Sequence, residues 1–249
     1  TTYICGVPNQ FDHFILSYFS KKLSEFTKER ENTNYLYGNI RSNIDYKGPI
    51  IEWYYKIKWR LEKNNYAYYD SVIPNNAKVY DLGCGYGFLS CFLHLKSERR
   101  EIIGIDYDSD KVNIAQNYFM FKNIQNLEFS NQNILDAKLE NPDVILLNDV
   151  LHYLDKKSQS SVLINCFKNL NENGLILIRE GKKENKNHIF TKFTELLSTK
   201  IFKFNKTENK LNFISGLYLD NLAKQFSFKI EEFKHSKITS NKLFILRKQ

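Results

Sequence analysis

Val79-Tyr80-Asp81-Leu82-Gly83-Cys84-Gly85-Tyr86-Gly87-Phe88-Leu89-Ser90 is the stretch from which the rest of the chain is read. It begins inside a short apolar run, residues 77–82, bounded upstream by Pro74-Asn75-Asn76, and this is the pattern of a buried strand. Glycines then recur at every second position, and an apolar helical segment follows through Phe88, Leu89, Cys91, Phe92 and Leu95. Glycine is required there for a tight turn, and because a ligand must come closer to the backbone than a Cβ allows. The helix start beyond it presents unpaired N–H groups and a partial positive charge, suited to a carboxylate or phosphate. Strand, glycine turn and helix start together specify a nucleotide-type cofactor site.

Spacing narrows the cofactor. The dinucleotide fingerprint is G-x-G-x-x-G, whereas this chain has Asp81-x-Gly83-x-Gly85-x-Gly87. An acid two positions before a G-x-G-x-G run resembles the first motif of class I S-adenosylmethionine (SAM)-dependent methyltransferases. The next strand reads Glu101-Ile102-Ile103-Gly104-Ile105-Asp106 and ends on an acid at the distance suited to ribose hydroxyls. An acid there also suits NAD, so an NAD-dependent oxidoreductase is one alternative, and the Asp81-to-Gly87 spacing is what favours SAM. The resemblance implies cofactor contacts from Asp81, Gly83, Cys84, Gly85, Gly87, Asp106 and Tyr107, with S-adenosylhomocysteine as product.

From Ala77 onward, strand and helix patterns alternate, which argues for a mostly parallel sheet. Strands are expected at 77–82, 101–106, 126–130, 143–148, 174–179, 228–234 and 242–247, and helices at 88–96, 109–121, 134–139, 156–170, 188–198 and 217–226. The last two strands are separated by a hairpin-like length. Upstream, residues 9–28 and 50–69 carry helical apolar spacing. The expected fold is therefore α/β: a Rossmann-like, class I methyltransferase sheet of seven strands with a C-terminal antiparallel hairpin. An N-terminal helical cap (residues 1–70) precedes the SAM-binding domain (residues 71–249). Aromatics lie on more than one face of the 50–69 helix, which fits an aromatic-rich packing helix and the lining of an acceptor pocket equally.

In an open parallel sheet, ligands sit beyond the carboxyl ends of the strands. After the third strand, Asn133-Ile134 stands where the family carries an acid and an aliphatic residue against adenine; an amide oxygen can still accept that hydrogen bond. After the fourth strand, Asn148-Asp149-Val150-Leu151-His152-Tyr153 resembles the fourth methyltransferase motif. That implies Asn148 and Asp149 beside the methionine portion of SAM, and His152 near its methyl group. A phenol nucleophile, with a pKa near ~10, gains from a base closer to neutrality. His152 fits such a base, with Tyr153 beside it; a histidine that only shapes the pocket is the other reading. The fifth strand ends in Arg179-Glu180, which places two charged groups at the same rim as candidate acceptor contacts. No His/Asp/Glu cluster suggests a metal.

The chain has 249 residues, 42% hydrophobic and 15% aromatic, enough for one α/β domain and an appendage. No apolar run approaches the ~20 residues of a membrane span, and no signal peptide is visible. Cys5, Cys84, Cys91 and Cys166 show neither CxxC nor metal spacing, as expected of free thiols in a reducing, cytoplasmic compartment. The first residue is Thr1 rather than methionine, as expected either of a trimmed chain or of a piece of a longer polypeptide. The net charge is +8, and residues 182–210 hold eight lysines against three glutamates with no arginine. A solvated basic face, an acidic substrate, lipid surface or carrier, and nucleic acid are the three readings of that charge. The last would make the protein an RNA methyltransferase, but nucleic-acid sites usually mix arginine with exposed aromatics.

Tyr46-Lys47-Gly48-Pro49-Ile50-Ile51-Glu52-Trp53-Tyr54, with the motifs above, resembles a narrower bacterial group across residues 30–249. Its members are C-terminal modules of chains joining an MMPL-type transporter and a lysophospholipid acyltransferase, and methyltransferases of aryl-polyene or flexirubin-type pigment pathways. That resemblance implies an aromatic or acyl-linked small-molecule acceptor, carried on an acyl carrier protein, with Tyr46, Trp53 and Tyr54 on the acceptor side.

Overall fold

The computed structural model describes residues 65–117, 124–180, 212–233 and 242–248. The helix expected at 9–28, most of that at 50–69, the one at 188–198, the lysine-rich stretch and Tyr46, Trp53 and Tyr54 lie outside these residues.

Seven strands form one sheet: β1 (Lys78–Leu82), β2 (Glu101–Asp106), β3 (Leu127–Asn131), β4 (Val144–Asn148), β5 (Leu175–Glu180), β6 (Phe228–Phe233) and β7 (Lys242–Lys248). Their order is β3-β2-β1-β4-β5-β7-β6. The first five run parallel, and β7 is inserted antiparallel between β5 and β6. The helices are α1 (Phe88–Lys96), α2 (Ser109–Asn117), α3 (Lys156–Asn169) and α4 (Gly216–Gln225). The order turns back between β1 and β4, and a crevice opens beyond the carboxyl ends of neighbouring strands at such a point.

The middle strands are apolar on both sides because both faces are covered. Val79, Val144, Leu146, Leu175 and Leu177 join Leu89 and Phe92 of α1 and Val112 of α2 in one core. Ile145, Leu147, Ile176 and Ile178 join Val162, Leu163 and Phe167 of α3 and Leu219 of α4 in the other. Side chains alternate across a strand, so the last residue or two of each strand inherit a face. Asp81, Asn148 and Arg179 follow Val79, Leu146 and Leu177 onto the first, whereas Glu180 follows Ile178 onto the second.

Residues 65–72 are helical and pack on the first face. Tyr66 lies 5.5 Å and 5.6 Å, centroid to centroid, from Phe88 and Phe92, and Tyr69 is fully buried. This helix is clamped by Arg100, whose buried guanidinium donates to Asp70 (2.8 Å) and to the carbonyls of Ile73 (2.8 Å) and Leu93 (3.0 Å). Arg100 is the buried member of the pair and Asp70 is half-buried, so removing the Asp70 carboxylate would leave a buried guanidinium without its counter-charge, a loss of roughly 3–5 kcal/mol. The division expected between residues 70 and 71 falls inside this helix.

One local expectation needs correction. The helix expected at 134–139 is a single turn followed by irregular chain. Asn133 closes that turn, its carbonyl accepting from Asp136 N (3.0 Å) and its side-chain Oδ1 from Leu135 N (3.0 Å). Ile134, Ala137 and Leu139 are buried from an irregular backbone, so their spacing imitated a helix. Helix α3, by contrast, carries its start signal openly: Asp155 Oδ1 accepts from Ser158 N at 2.8 Å.

Candidate active site

Gly83, Gly85 and Gly87 all take positive φ, at 77°, 58° and 71°. Their surroundings differ. A Cβ on Gly83 would lie 2.4 Å from Val150 Cγ2, and one on Gly87 2.5 Å from the Phe129 ring, while one on Gly85 would meet nothing within 4 Å. The tight turn accounts for all three, but the space does not belong to a ligand at each: Gly83 and Gly87 are small to admit protein neighbours. Only Gly85 leaves open space of the kind a ligand would fill. The Val150 contact also seats the glycine loop against the chain that leads to His152.

The loop is held from β2. Gly83 N and Cys84 N share the Ile105 carbonyl (2.7 and 3.1 Å), and Gly85 N donates to Asp106 Oδ2 at 2.8 Å. The other Asp106 oxygen accepts from Asp108 N at 2.9 Å. Asp106 thus faces the glycine loop, and its two oxygens, with about four lone-pair sites, retain capacity for ligand hydroxyls. Asp81 is buried and accepts from Ser90 Oγ in α1 at 2.6 Å, which binds strand to helix beneath the loop. Burial, helped by the Asp81 and Asp106 carboxylates, pushes the Cys84 thiol well above its ordinary range. Cys84 is therefore a protonated packing group. Helix α1 starts after Gly87, which as N-cap offers no side-chain hydrogen bond to the first turn.

On the far side of Asp106, Tyr107 is 44% exposed. Nearby, the Ile134 side chain is buried in the second core with Leu82 and Ile105, and the Asn133 side-chain oxygen, expected to accept from adenine, already accepts from the Leu135 amide with one of its two lone pairs.

At the end of β4, Asn148 Oδ1 accepts from the Tyr69 hydroxyl at 2.7 Å. Its Nδ2 is buried with no hydrogen-bond partner among the described residues. Asp149 follows at φ 53°, a conformation that costs a non-glycine residue of order 1–3 kcal/mol. It is held there twice, by its N–H to the Arg179 carbonyl (2.9 Å) and by an ion pair with the Arg179 guanidinium.

His152 stands in a one-turn 3-10 helix, Leu151–Tyr153. Glu180, 1% exposed, accepts from Leu151 N at 2.8 Å through Oε1 and faces His152 Nδ1 at 2.7 Å through Oε2. Nδ1 is therefore the donor and, in the neutral ring, Nε2 is the basic nitrogen. Burial acts to lower the His152 pKa, but the Glu180 hydrogen bond and charge, with Asp149, outweigh it and raise the pKa above the ordinary value. Tyr153 lies against the imidazole at 4.2 Å and Phe213 at 5.6 Å. Gln159 fixes the turn from α3, donating to the Leu151 carbonyl at 2.9 Å. This corrects the placing of Arg179 and Glu180 as a pair at one rim: they leave β5 on opposite faces, and both Glu180 oxygens are occupied within the protein.

The family model described as a methyltransferase domain matches residues 73–235. The chain belongs to that methyltransferase family. Among curated relatives, the methyltransferase is 29% identical over 112 residues to the carboxy-S-adenosyl-L-methionine synthase of Idiomarina loihiensis, covering 43% of this chain and 46% of that one. It is 27% identical over 159 residues to the synthase of Ruthia magnifica, covering 62% and 65%. The chain thus spans about half to two thirds of these relatives' length. Among solved structures, the SAM-bound magnesium protoporphyrin IX methyltransferase of Synechocystis PCC 6803 superposes with a TM-score of 0.58 at 12% identity, covering 93% of this chain and 97% of that one. That likeness is one of fold, and with the strand order it makes the domain a class I, Rossmann-like methyltransferase.

Several residues of this methyltransferase site carry no local sequence signal. Tyr69 sits in an aromatic-rich helix, Val150 in an apolar run, and Phe129, whose ring covers Gly87 and Gly104, in an ordinary strand. Among the described residues, no three His, Cys, Asp or Glu side chains are grouped to hold a metal ion, and no helix is long and apolar enough to cross a membrane.

Proposed function

We propose that this SAM-dependent methyltransferase acts on a small aromatic or acyl-linked acceptor, with the donor held over the glycine loop. The observation that carries the reading is the open space at Gly85, beside an amide tied to Asp106, at the point where the strand order reverses. SAM would supply an electrophilic methyl group, its carbon–sulfur bond breaking as the acceptor's nucleophile bonds to the methyl carbon, with S-adenosylhomocysteine as the leaving group. Gly85 would hold the donor against bare backbone, in a turn that Gly83 and Gly87 shape, Asp106 would accept from its ribose hydroxyls, and Tyr107 would cover its base. Asn148 and Asp149 would border the methionine end.

Two things are then required of the chain: a dry site that aligns donor and acceptor and, for a hydroxyl acceptor, a place for the proton. His152 supplies the second. Glu180 fixes its Nδ1–H, so Nε2 is the nitrogen that takes the acceptor's proton, and the raised pKa brings the base closer to a phenol's. On the acceptor side we assign Tyr46, Trp53 and Tyr54, with Arg179 and Tyr153 at the edge. A carrier-linked acceptor, including an aryl-polyene precursor, suits the lysine-rich segment 182–210.

The likeness to carboxy-SAM synthases supports a second reading, in which SAM itself is the molecule modified. One experiment tests both. Calorimetry with SAM and with NAD establishes the donor; a bacterial extract incubated with the protein and methyl-labelled SAM is then analysed by mass spectrometry. Label on an aromatic or acyl compound supports the first reading, and carboxylated SAM without a methylated product supports the second. NAD binding in the absence of SAM binding refutes both. Label on RNA, with affinity falling steeply as salt rises, would replace the small-molecule acceptor.

A further inference from the structure

We propose, resting on the reading of this crevice as the SAM site, that Tyr69 is a positioning residue. Its hydroxyl holds the Asn148 carboxamide so that the NH2 donates to the carboxylate of the ligand's amino-acid end. Tyr69 has no exposure and comes from the helix clamped by Arg100, so its ring cannot drift. It reaches Asn148 across 79 positions of sequence, at 2.7 Å. With Oδ1 accepting from the hydroxyl, the amide is oriented and its other end can only donate.

That other end is the anomaly. Asn148 Nδ2 is buried, and none of the described residues accepts from it. An unsatisfied buried donor is destabilising, and native folds rarely keep one without a use. Its location supplies the use. Leu82 pairs with Leu147, so Asn148 lies level with Gly83 at the start of the glycine loop, and on its other side it pairs with Arg179. A ligand atom here must be an acceptor. S-adenosylhomocysteine offers such an atom in its α-carboxylate.

The test is calorimetric, on the whole chain, with S-adenosylhomocysteine and with its analogue lacking the carboxylate. Tyr69→Phe keeps the ring and removes only the hydroxyl; we expect about 3–10-fold weaker binding of S-adenosylhomocysteine, the worth of one hydrogen bond, and an unchanged affinity for the analogue. Asn148→Asp keeps an acceptor for Tyr69 but sets a carboxylate against the ligand's own. It should weaken S-adenosylhomocysteine by more than tenfold and leave the analogue's affinity within about twofold. Thermal melting establishes that each variant is folded. Equal losses for both ligands, or none for either, would overturn the proposal, as would Asn148→Asp binding S-adenosylhomocysteine as tightly as wild type. If the wild-type protein binds neither compound, it is the SAM reading itself that fails, and the two failures are thereby distinguished.

Discussion

Replacing Gly85 by alanine separates a glycine kept for a ligand from glycines kept for the protein. At φ 58° the new side chain meets the left-handed penalty, about 1–2 kcal/mol. Its methyl has no protein atom within 4 Å, so no packing cost is added. A domain of ~150–250 residues loses roughly 2–4 °C per kcal/mol, so Gly85→Ala should melt about 2–8 °C lower and fold normally. Gly87→Ala meets the same backbone strain at 71° and also drives a methyl to 2.5 Å from the Phe129 ring. Overpacking of that kind adds roughly 1–3 kcal/mol, so the Gly87 variant should melt lower than the Gly85 variant by about the same again. SAM binding should rank the variants differently. Gly85→Ala fills the space above the amide held by Asp106 and should weaken SAM at least tenfold, about 1.4 kcal/mol, and Gly85→Val should abolish binding. Scanning calorimetry and titration calorimetry on the same preparations give both quantities. A Gly85→Ala protein that binds SAM like wild type would refute the assignment of that space to the ligand.

Two further outcomes follow from the buried titrating groups. His152 owes its raised pKa to Glu180 against the opposing effect of burial, so Glu180→Gln should bring its midpoint from above the ordinary ~6.5 to below it. Proton NMR of the imidazoles, with His152→Ala for assignment, measures this; an unmoved midpoint would remove Glu180 as the partner that matters. The sign for stability is that of a group whose folded pKa is raised. The pair's contribution is full below pH ~6.5 and fades as pH rises through the folded midpoint, so the wild type's advantage over Glu180→Gln should shrink with rising pH. The thiols should be inert. Burial raises Cys84 and Cys91 well above their ordinary value and Cys166 to about 12, so iodoacetamide at neutral pH should leave all three unmodified until the protein is denatured, as read by peptide mass spectrometry.

Glu180 shows how far local reading reaches. Its place at the end of β5 is visible in Leu175-Ile176-Leu177-Ile178-Arg179-Glu180, because apolar runs between turn residues reveal buried strands. Which face it takes is also implicit in the period of two. That its carboxylate would meet both the Leu151 amide and the His152 ring depends on the turn after β4 folding back over β5, which is a property of packing.

By itself, the sequence determined the alternation of strands and helices, the glycine loop after β1, the acid closing β2 and the histidine after β4. All of these are short-range patterns whose periodicity, spacing and turn chemistry are written within a few residues. Only the tertiary structure decided that Gly85 alone of three glycines faces open space, that Ile134 and Glu180 turn inward, and that Tyr69 orients Asn148. Each of those depends on which distant side chain arrives at a given point, and contacts across tens of residues leave no periodic trace along the chain.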